Sequence, residues 1–254
     1  KLPWFVHPER DQKWRDQQDK DLGLKAATQE CDCDFNTSGD VVFHNDWLDH
    51  IFQNTIQEPL ERRGLDQNLW IWEPVDYSKE YMVIADVARG DGADSSTFHI
   101  LDISTNIQVA EFKGQLSTKE FGYLLVAIAT EYNNALLVVE NNSIGWATID
   151  TIIERGYRNL YHSPKSDQLT SDSYLKTWEG SSDLTPGFTM SLRNRPLIIN
   201  KFREYIGDRS VTIRSKRLLE EMKVFIWKNG RAEAQSGYND DLVMPFGVGM
   251  FLRD

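Results

Sequence analysis

The chain has 254 residues, of which 40% are hydrophobic and 26% are charged, so it has the composition of an ordinary globular protein. No apolar run reaches the roughly 18 residues that a membrane span needs, and the two cysteines are too few for a disulfide framework. The formal net charge of −11 excludes a uniformly basic nucleic-acid-binding protein. The first residues, KLPWFVHPER, contain neither an initiator Met nor a secretory signal, so we expect a piece of a longer protein.

The N-terminal third carries the weaker structural signals. Residues 8–23 begin with Pro and end with Gly around a polar stretch, which predicts a short helix. Residues 36–80 are irregular and rich in Trp, and we interpret them as a connecting segment. We therefore predict a linker remnant and connecting segment over residues 1–75 and one folded domain over residues 76–254.

Residues from 81 onwards show clearer patterns. Three short apolar or alternating runs, at 81–87, 97–103 and 107–113, are separated by turn residues and predict an antiparallel meander. Residues 117–133 start with a capping box and have apolar residues at helical spacing. The continuous apolar run at 135–140 predicts a strand that is buried on both faces.

The remaining elements continue this alternation. A helix over 143–156 and a short strand over 159–162 complete the pattern of a mixed α/β sheet with helices on its faces. Residues 163–188 are rich in Ser, Asp, Gly and Pro and predict a loop or mobile hairpin, whose length favours a functional role. Further on, we predict a helix over 189–207, an Asn-Gly hairpin over 225–234 and a terminal helix that starts at the pair Asp240 and Asp241.

Positive charge is concentrated in one region of this acidic chain. Between residues 189 and 231 there are eleven Lys or Arg and four acids, a net charge of +7. Such a region can hold a phosphate backbone whatever the total charge, or it can be a solvated helix face. The sequence leaves both interpretations open.

Carboxylates lie where apolar segments end or begin. Asp86 ends the first strand of the meander, Glu140 ends the run ALLVVE, and Asp240 and Asp241 precede the apolar terminal helix. Asp240 and Asp241 are also what an ordinary helix start would use. However, buried carboxylates need a partner. If the first and fourth strands are parallel neighbours, Asp86 and Glu140 share one sheet edge, and a helix across that edge adds the Asp pair.

Converging carboxylates repel one another unless a divalent cation lies between them. Oxygen-only ligands select Mg²⁺ or Mn²⁺, and two such ions can activate water and stabilise the leaving oxygen of a phosphodiester. In this hypothesis Asp86 bridges two ions, Glu140 binds one of them, and Asp240 and Asp241 bind the other.

Three segments in this order resemble a known family. VIADVARGDGADSSTFHILDI, LLVVENNSIG and GYNDDLVM are similar to segments of the nuclease domain of tailed-phage (T4-like) large terminase subunits. Segments outside these motifs extend the resemblance over nearly the whole chain. It implies an RNase H-like fold within the retroviral-integrase superfamily, and thus an RNase H-like nuclease domain over residues 76–254.

The resemblance also implies residue roles. The family's catalytic acids correspond to Asp86, Glu140 and one or both of Asp240 and Asp241, of which we favour Asp241. Asp94 matches an acid in the family's first motif, although a turn residue before the second strand would look the same. The chain lacks a G-x-x-x-x-G-K-[ST] P-loop, so we expect no ATP site in it.

The expected function is cleavage of concatemeric viral double-stranded DNA during genome packaging, with little sequence preference. Four basic residues next to the 163–188 loop are predicted DNA contacts, and His162 is a candidate accessory residue. The resemblance implies an ATPase domain, a portal and a small terminase subunit as partners in the full-length protein, no membrane, and the host cytoplasm during virion assembly. The four predicted DNA contacts are Lys165, Lys176, Arg193 and Arg195.

Two alternatives stay open from the residues alone. A module that grips DNA or docks to the portal would need the basic region but would not need Asp86 or Glu140. Another RNase H-like nuclease, such as a resolvase or transposase, would keep the acids but prefer branched DNA.

Overall fold

The computed structural model describes residues 3–23, 27, 31, 41–64, 66–90, 94–164 and 184–253. A 3-10 turn over Trp4–Val6 precedes helix α1 (Gln12–Leu22), which ends at Gly23 and confirms the predicted polar helix. Helix α2 (Asn45–Asn54) lies in a region without a clear sequence signal. Among the helices of the described residues, none is long and apolar enough to cross a membrane.

Six strands form one mixed sheet in the spatial order β1-β2-β5-β4-β3-β6. Its centre is the predicted antiparallel meander of β3 (Tyr81–Asp86), β4 (Ser96–Asp102) and β5 (Ile107–Gly114). Strand β6 (Leu136–Val139) pairs with β3 in parallel. The arrangement that the carboxylate hypothesis required, with these two strands as parallel neighbours, is therefore present.

Two short strands extend the sheet beyond the meander. Strand β1 (Glu61–Arg63) pairs with β2 (Leu69–Ile71), and β2 pairs with β5. Both lie within the segment interpreted as a connection, and they belong to the same sheet as the meander. The boundary between residues 75 and 76 stays a prediction.

Helices cover both faces of the sheet, and alternation along β3 divides the core accordingly. Helices α3 (Thr118–Glu131) and α4 (Gly145–Glu154) pack on the face that carries Val83 and Ala85. The opposite face, with Met82 and Ile84, is covered by residues of the other helices. These are α2, α5 (Asn194–Gly207), α6 (Lys216–Lys223) and α7 (Val243–Arg253).

Helix α7 passes very close to the middle of the sheet. Its residues from Val243 to Met250 are all buried. A Cβ built on Gly249 would lie 2.8 Å from the Leu101 side chain and 3.0 Å from that of Ile84, so a glycine is needed for this approach. This packing is consistent with the position of the start of α7, which lies near the end of β3 and the first residues of β4.

Two hairpins complete the fold. Strands β7 (His162–Pro164) and β8 (Leu184–Pro186) pair at the base of the predicted loop or hairpin, whose residues 165–183 lie outside the described residues. Strands β9 (Phe225–Lys228) and β10 (Arg231–Ala234) form the second hairpin. Asn229 and Gly230 both have positive φ, of 52° and 78°, as the predicted Asn-Gly turn requires.

Candidate metal centre

Asp86 is the last residue of β3, a strand whose first five residues are all buried. Since side chains alternate along a strand, Asp86 lies on the same face as Met82 and Ile84, which is the face that α7 covers. The backbone N–H of Val87 donates to its carboxylate. The strand thus brings this carboxyl group to the sheet edge next to the start of α7.

Glu140 follows β6 directly. Its N–H donates to the Ala85 carbonyl at 3.2 Å, which places Glu140 beside Asp86 at the same sheet edge. Asn142 Nδ2 donates to Glu140 Oε1 at 2.8 Å. Gly145, the first residue of α4, packs so tightly that a Cβ there would lie 1.8 Å from the Glu140 carbonyl oxygen. The backbone on both sides therefore restrains Glu140.

The turn that contains Asp241 is anchored to β4. Thr97 Oγ1 donates to the Asp241 carbonyl at 2.6 Å, and His99 Nε2 lies 2.9 Å from the Leu242 carbonyl. In the β3–β4 register, Thr97 is directly opposite Asp86. These bonds hold the turn against the strand end that carries Asp86.

Helix α7 begins at Val243, two residues after the acid pair. The N–H groups of Val243 and Met244 donate to the Asp240 carbonyl at 3.1 and 3.2 Å, so the pair does open the helix, as predicted. The Asp240 side chain forms an ion pair with Arg195, whose Nη2 is 3.4 Å from Oδ2. The same Nη2 donates to the Ala232 carbonyl at 3.1 Å.

One oxygen of the Asp241 side chain is bound to the protein. Oδ2 accepts hydrogen bonds from the Ser95 N–H and from Asn239 Nδ2, both at 3.2 Å. Lys113 Nζ is 3.8 Å from the same oxygen, at ion-pair distance. The Asp241 carboxylate is therefore oriented by groups from several parts of the chain.

Lys113 and Glu221 were not singled out from the sequence. Glu221 Oε1 pairs with the Lys113 ammonium group, and Oε2 accepts the Leu242 N–H at 2.8 Å. Burial raises the pKa of Glu221 to about 6, against the opposing effect of Lys113. The sequence did contain a signal for Glu221. It lies between Leu218 and Met222, on the buried side of an amphipathic helix.

A cleft of about 290 Å³ lies where these elements meet. Three of the predicted acids, Asp86, Asp94 and Asp241, line it together. From the sequence, Asp94 was either an acid of the site or an ordinary turn residue; in the structure it is part of the cleft. The other lining residues are Val87, Ala88, Arg89, Ser95 and Ile144.

The negative charges of the acids act on one another, and Asp86 is the most affected. Burial raises the pKa of Asp86 to about 7, and the negative charges of Glu140, Asp241 and Asp240 add to this effect. Burial also raises the pKa of Glu140 and that of Asp240, although Arg195 opposes both shifts. A cation in the cleft would relieve this repulsion.

The donor set fits a hard divalent cation. All the acids offer oxygen, which favours Mg²⁺ or Mn²⁺. Within the described ranges, no three His, Cys, Asp or Glu side chains are grouped closely enough to form a complete metal-binding cluster. Mg²⁺ commonly keeps several waters and uses one or two carboxylates, a number that Asp86 and Asp241 supply from the walls of one cleft.

The predicted DNA contacts have different surroundings. Arg193 is exposed next to the start of α5, whereas Arg195 is held by Asp240. His162 is half-buried, and its Nδ1 lies 2.8 Å from the Leu160 carbonyl. Lys165 and Lys176 lie outside the described residues. Contact with DNA stays a prediction for all of them.

Part of the positive charge of the 189–231 region is used within the fold. Among the described residues, six of its basic residues form ion pairs with acids, namely Arg195 with Asp240 and five others, so the region is not one free basic surface. The other five pairs are Lys201–Glu204, Arg214–Glu73, Arg217–Glu111, Lys223–Glu220 and Lys228–Glu233.

The fold combines a mixed sheet, helices on both of its faces, and acids at the end of β3 and directly after β6. No known family profile matches the sequence. Among solved structures, the chain is similar to the large terminase nuclease from thermophilic phage G20c with bound magnesium, with 18% identity and a TM-score of 0.61. That match covers 84% of this chain and 97% of the phage chain.

A second similar structure is the large terminase nuclease domain of Thermus phage P74-26, with 18% identity and a TM-score of 0.57. The match covers 82% of this chain and 93% of that chain. The chain therefore has the fold of large terminase nuclease domains. The predicted RNase H-like fold class and the resemblance stated from the sequence motifs are confirmed at the level of the fold.

Proposed function

We propose that this protein is a divalent-metal-dependent endodeoxyribonuclease, a hydrolase that cuts concatemeric viral double-stranded DNA during genome packaging. The observation that carries the proposal is the grouping of acids around Asp86: Asp241 lines the same cleft, and Glu140 and Asp240 lie close enough for their charges to raise the pKa of Asp86. The acids come from three parts of the chain, which strand pairing and hydrogen bonds to the backbone bring together.

The structural neighbours add independent support. The G20c nuclease has been solved with bound magnesium and with bound cobalt, and both structures match this chain with a TM-score of 0.61. Divalent ions therefore bind to nucleases of this fold. Carried to this chain, the comparison supports a divalent cation as the cofactor. The oxygen-only donor set favours Mg²⁺ or Mn²⁺, and we propose two ions.

In this proposal Asp86, Glu140 and Asp241 would hold the ions, with Asp240 close by. The bound ions supply Lewis-acid stabilisation of the phosphate and activation of the attacking water. The chain itself orients the ligands: Asn142 holds Glu140, and Ser95 holds Asp241. We propose that contacts with DNA are mainly to the phosphate backbone, which gives little sequence specificity.

The wider context is part of the same proposal. The chain would act beside a packaging ATPase domain, a portal and a small terminase subunit, in the host cytoplasm during virion assembly. Residues 1–75 would connect the nuclease domain of residues 76–254 to that ATPase.

The test is incubation of the purified chain with supercoiled plasmid and Mg²⁺ or Mn²⁺. We expect nicking and linearisation that disappear with EDTA and in Asp86→Asn. Asp49→Asn, on an exposed position of α2, is the matched control and should cleave like the wild type. A folded wild type that binds DNA without cutting it would contradict the proposal and favour a DNA-gripping or docking module.

A further inference from the structure

Lys113 is shared by two carboxylates. Its ammonium group pairs with Glu221, and it lies 3.8 Å from Asp241 Oδ2. Its side chain is 25% exposed and that of Glu221 is 11% exposed, so this pair is only weakly screened by solvent. The contact with Glu221 is the shorter of the two. Lys113 is therefore held on Glu221, within reach of Asp241.

Glu221 is itself fixed in place. Its Oε2 accepts the N–H of Leu242, the residue after Asp241, at 2.8 Å, while Oε1 faces Lys113. Glu221 lies on α6 and Lys113 is on β5, so the two elements meet at the turn that precedes α7. The position of the Lys113 ammonium group relative to Asp241 thus depends on Glu221.

A lysine beside a metal ligand competes with the metal ion for that ligand. An ammonium group that pairs fully with Asp241 would neutralise the carboxylate and would repel an incoming divalent cation. Asp240 is in the corresponding situation, because the Arg195 guanidinium group is already 3.4 Å from it. Restraint of Lys113 would leave Asp241 as the member of the acid pair that is available to the metal.

We infer that Glu221 is a positioning residue that restrains Lys113 and so keeps Asp241 available to bind a divalent cation. The inference rests on the proposed function, because it takes Asp241 as a metal ligand. Glu221 need not touch the ion or DNA for this role. It acts through the charge and position of Lys113, which distinguishes it from a residue that only supports the fold.

The experiment measures Mn²⁺ affinity by calorimetric titration of the intact chain, without DNA. In Glu221→Gln the side chain can still accept the Leu242 N–H but loses the charge that holds Lys113. Mn²⁺ affinity should fall by about tenfold, the scale seen when the partners of metal ligands are changed. Glu220→Gln, which changes the exposed neighbour paired with Lys223, is the matched control and should bind like the wild type.

A second substitution tests whether Glu221 acts through Lys113. The double variant Glu221→Gln with Lys113→Met should recover most of the lost affinity, because the competing ammonium group is gone. Lys113→Met alone should bind Mn²⁺ at least as tightly as the wild type, and this single variant tests the inference even if Glu221→Gln does not fold. In an Asp241→Asn background the Glu221→Gln change should have no further effect on Mn²⁺ binding.

Three results would overturn the inference while leaving the proposed function intact. These are wild-type affinity in Glu221→Gln, no recovery in the double variant, or a clear loss of affinity in Lys113→Met alone. A wild type that does not bind Mn²⁺ at all would instead remove the proposed metal site, and with it this inference.

Discussion

The β3–β4 hairpin carries an aspartate at each end, and the two have opposite environments. Asp102 ends β4 and is fully buried, with Lys79 Nζ 2.8 Å from its Oδ2. Its Oδ1 accepts the Ser104 hydroxyl at 2.6 Å and the Ser104 N–H at 3.0 Å. Burial alone would raise the pKa of Asp102, but these partners outweigh it and lower the pKa to about 2.

Asp86, at the opposite end of the hairpin, has acids for neighbours. Its pKa is raised to about 7 by burial and by Glu140, Asp241 and Asp240. Among the described residues, no Lys, Arg or His forms an ion pair with it. A carboxylate that finds its cation within the chain is part of the fold, whereas one surrounded by other acids is a candidate for binding an external cation. Four predictions test this contrast.

The largest expected effect is on DNA cleavage. Asp86→Asn should reduce the rate by about a thousandfold or more, since loss of metal-assisted charge stabilisation raises the barrier by several kcal/mol. Asp102→Asn should leave the rate per folded molecule almost unchanged. Plasmid cleavage, normalised to the folded fraction, measures both. Equal losses in the two variants would remove the distinction between the acids.

The next effect is on the free energy of unfolding, and here Asp102→Asn should be the more damaging of the two variants. Asp102→Asn removes the buried negative charge that pairs with Lys79. It should therefore lower the free energy of unfolding by about 2 kcal/mol. Asp86→Asn should not lower it, and in EDTA should raise it, because a repelled charge is removed. Urea denaturation of both variants measures these changes. A strongly destabilised Asp86→Asn would contradict the account.

A smaller effect should come from Lys79. Lys79→Met removes the cation of Asp102 and should cost about 1 kcal/mol of unfolding free energy at neutral pH. In an Asp102→Asn background the same change should cost much less, since the partner charge is already absent. The double-mutant cycle gives the coupling energy directly. Additive losses would show that Lys79 does not neutralise Asp102.

The last prediction concerns the pH dependence of stability in the metal-free protein. Because the folded pKa of Asp86 is about 7, above its unfolded value of about 4, its protonated form contributes stability that is complete below about pH 4. That contribution is lost as the pH rises through about 7. Asp86→Asn should therefore gain stability relative to the wild type over this window, as thermal melts in EDTA would show; a constant difference would contradict the raised pKa.

The sequence alone predicted the elements that are specified by a few neighbouring residues. The meander, the capping box of Ser117 and Glu120, and the Asn229–Gly230 turn are of this kind. The helix predicted over 189–207 starts only at Asn194. Strands β1 and β2 were missed because each has three residues and is defined by pairing rather than by alternation.

The residues of the site also differ in whether neighbouring sequence is enough to predict them. Asp86 and Glu140 could be found because an acid at the end of an apolar strand is unusual in any sequence. The contact between Lys113 and Glu221 joins residues 108 positions apart, and only the packing of α6 against the sheet brings them together. The aspartates of the hairpin also look alike in sequence, since Asp86 and Asp102 both follow apolar runs; their partners distinguish them.

The most direct test of the central claim is Mn²⁺ binding by the purified chain, measured by calorimetric titration in the wild type, Asp86→Asn and Asp102→Asn. We expect binding by the wild type and by Asp102→Asn, and loss of binding in Asp86→Asn. Undiminished binding by Asp86→Asn would show that the acids around the cleft are not the metal site.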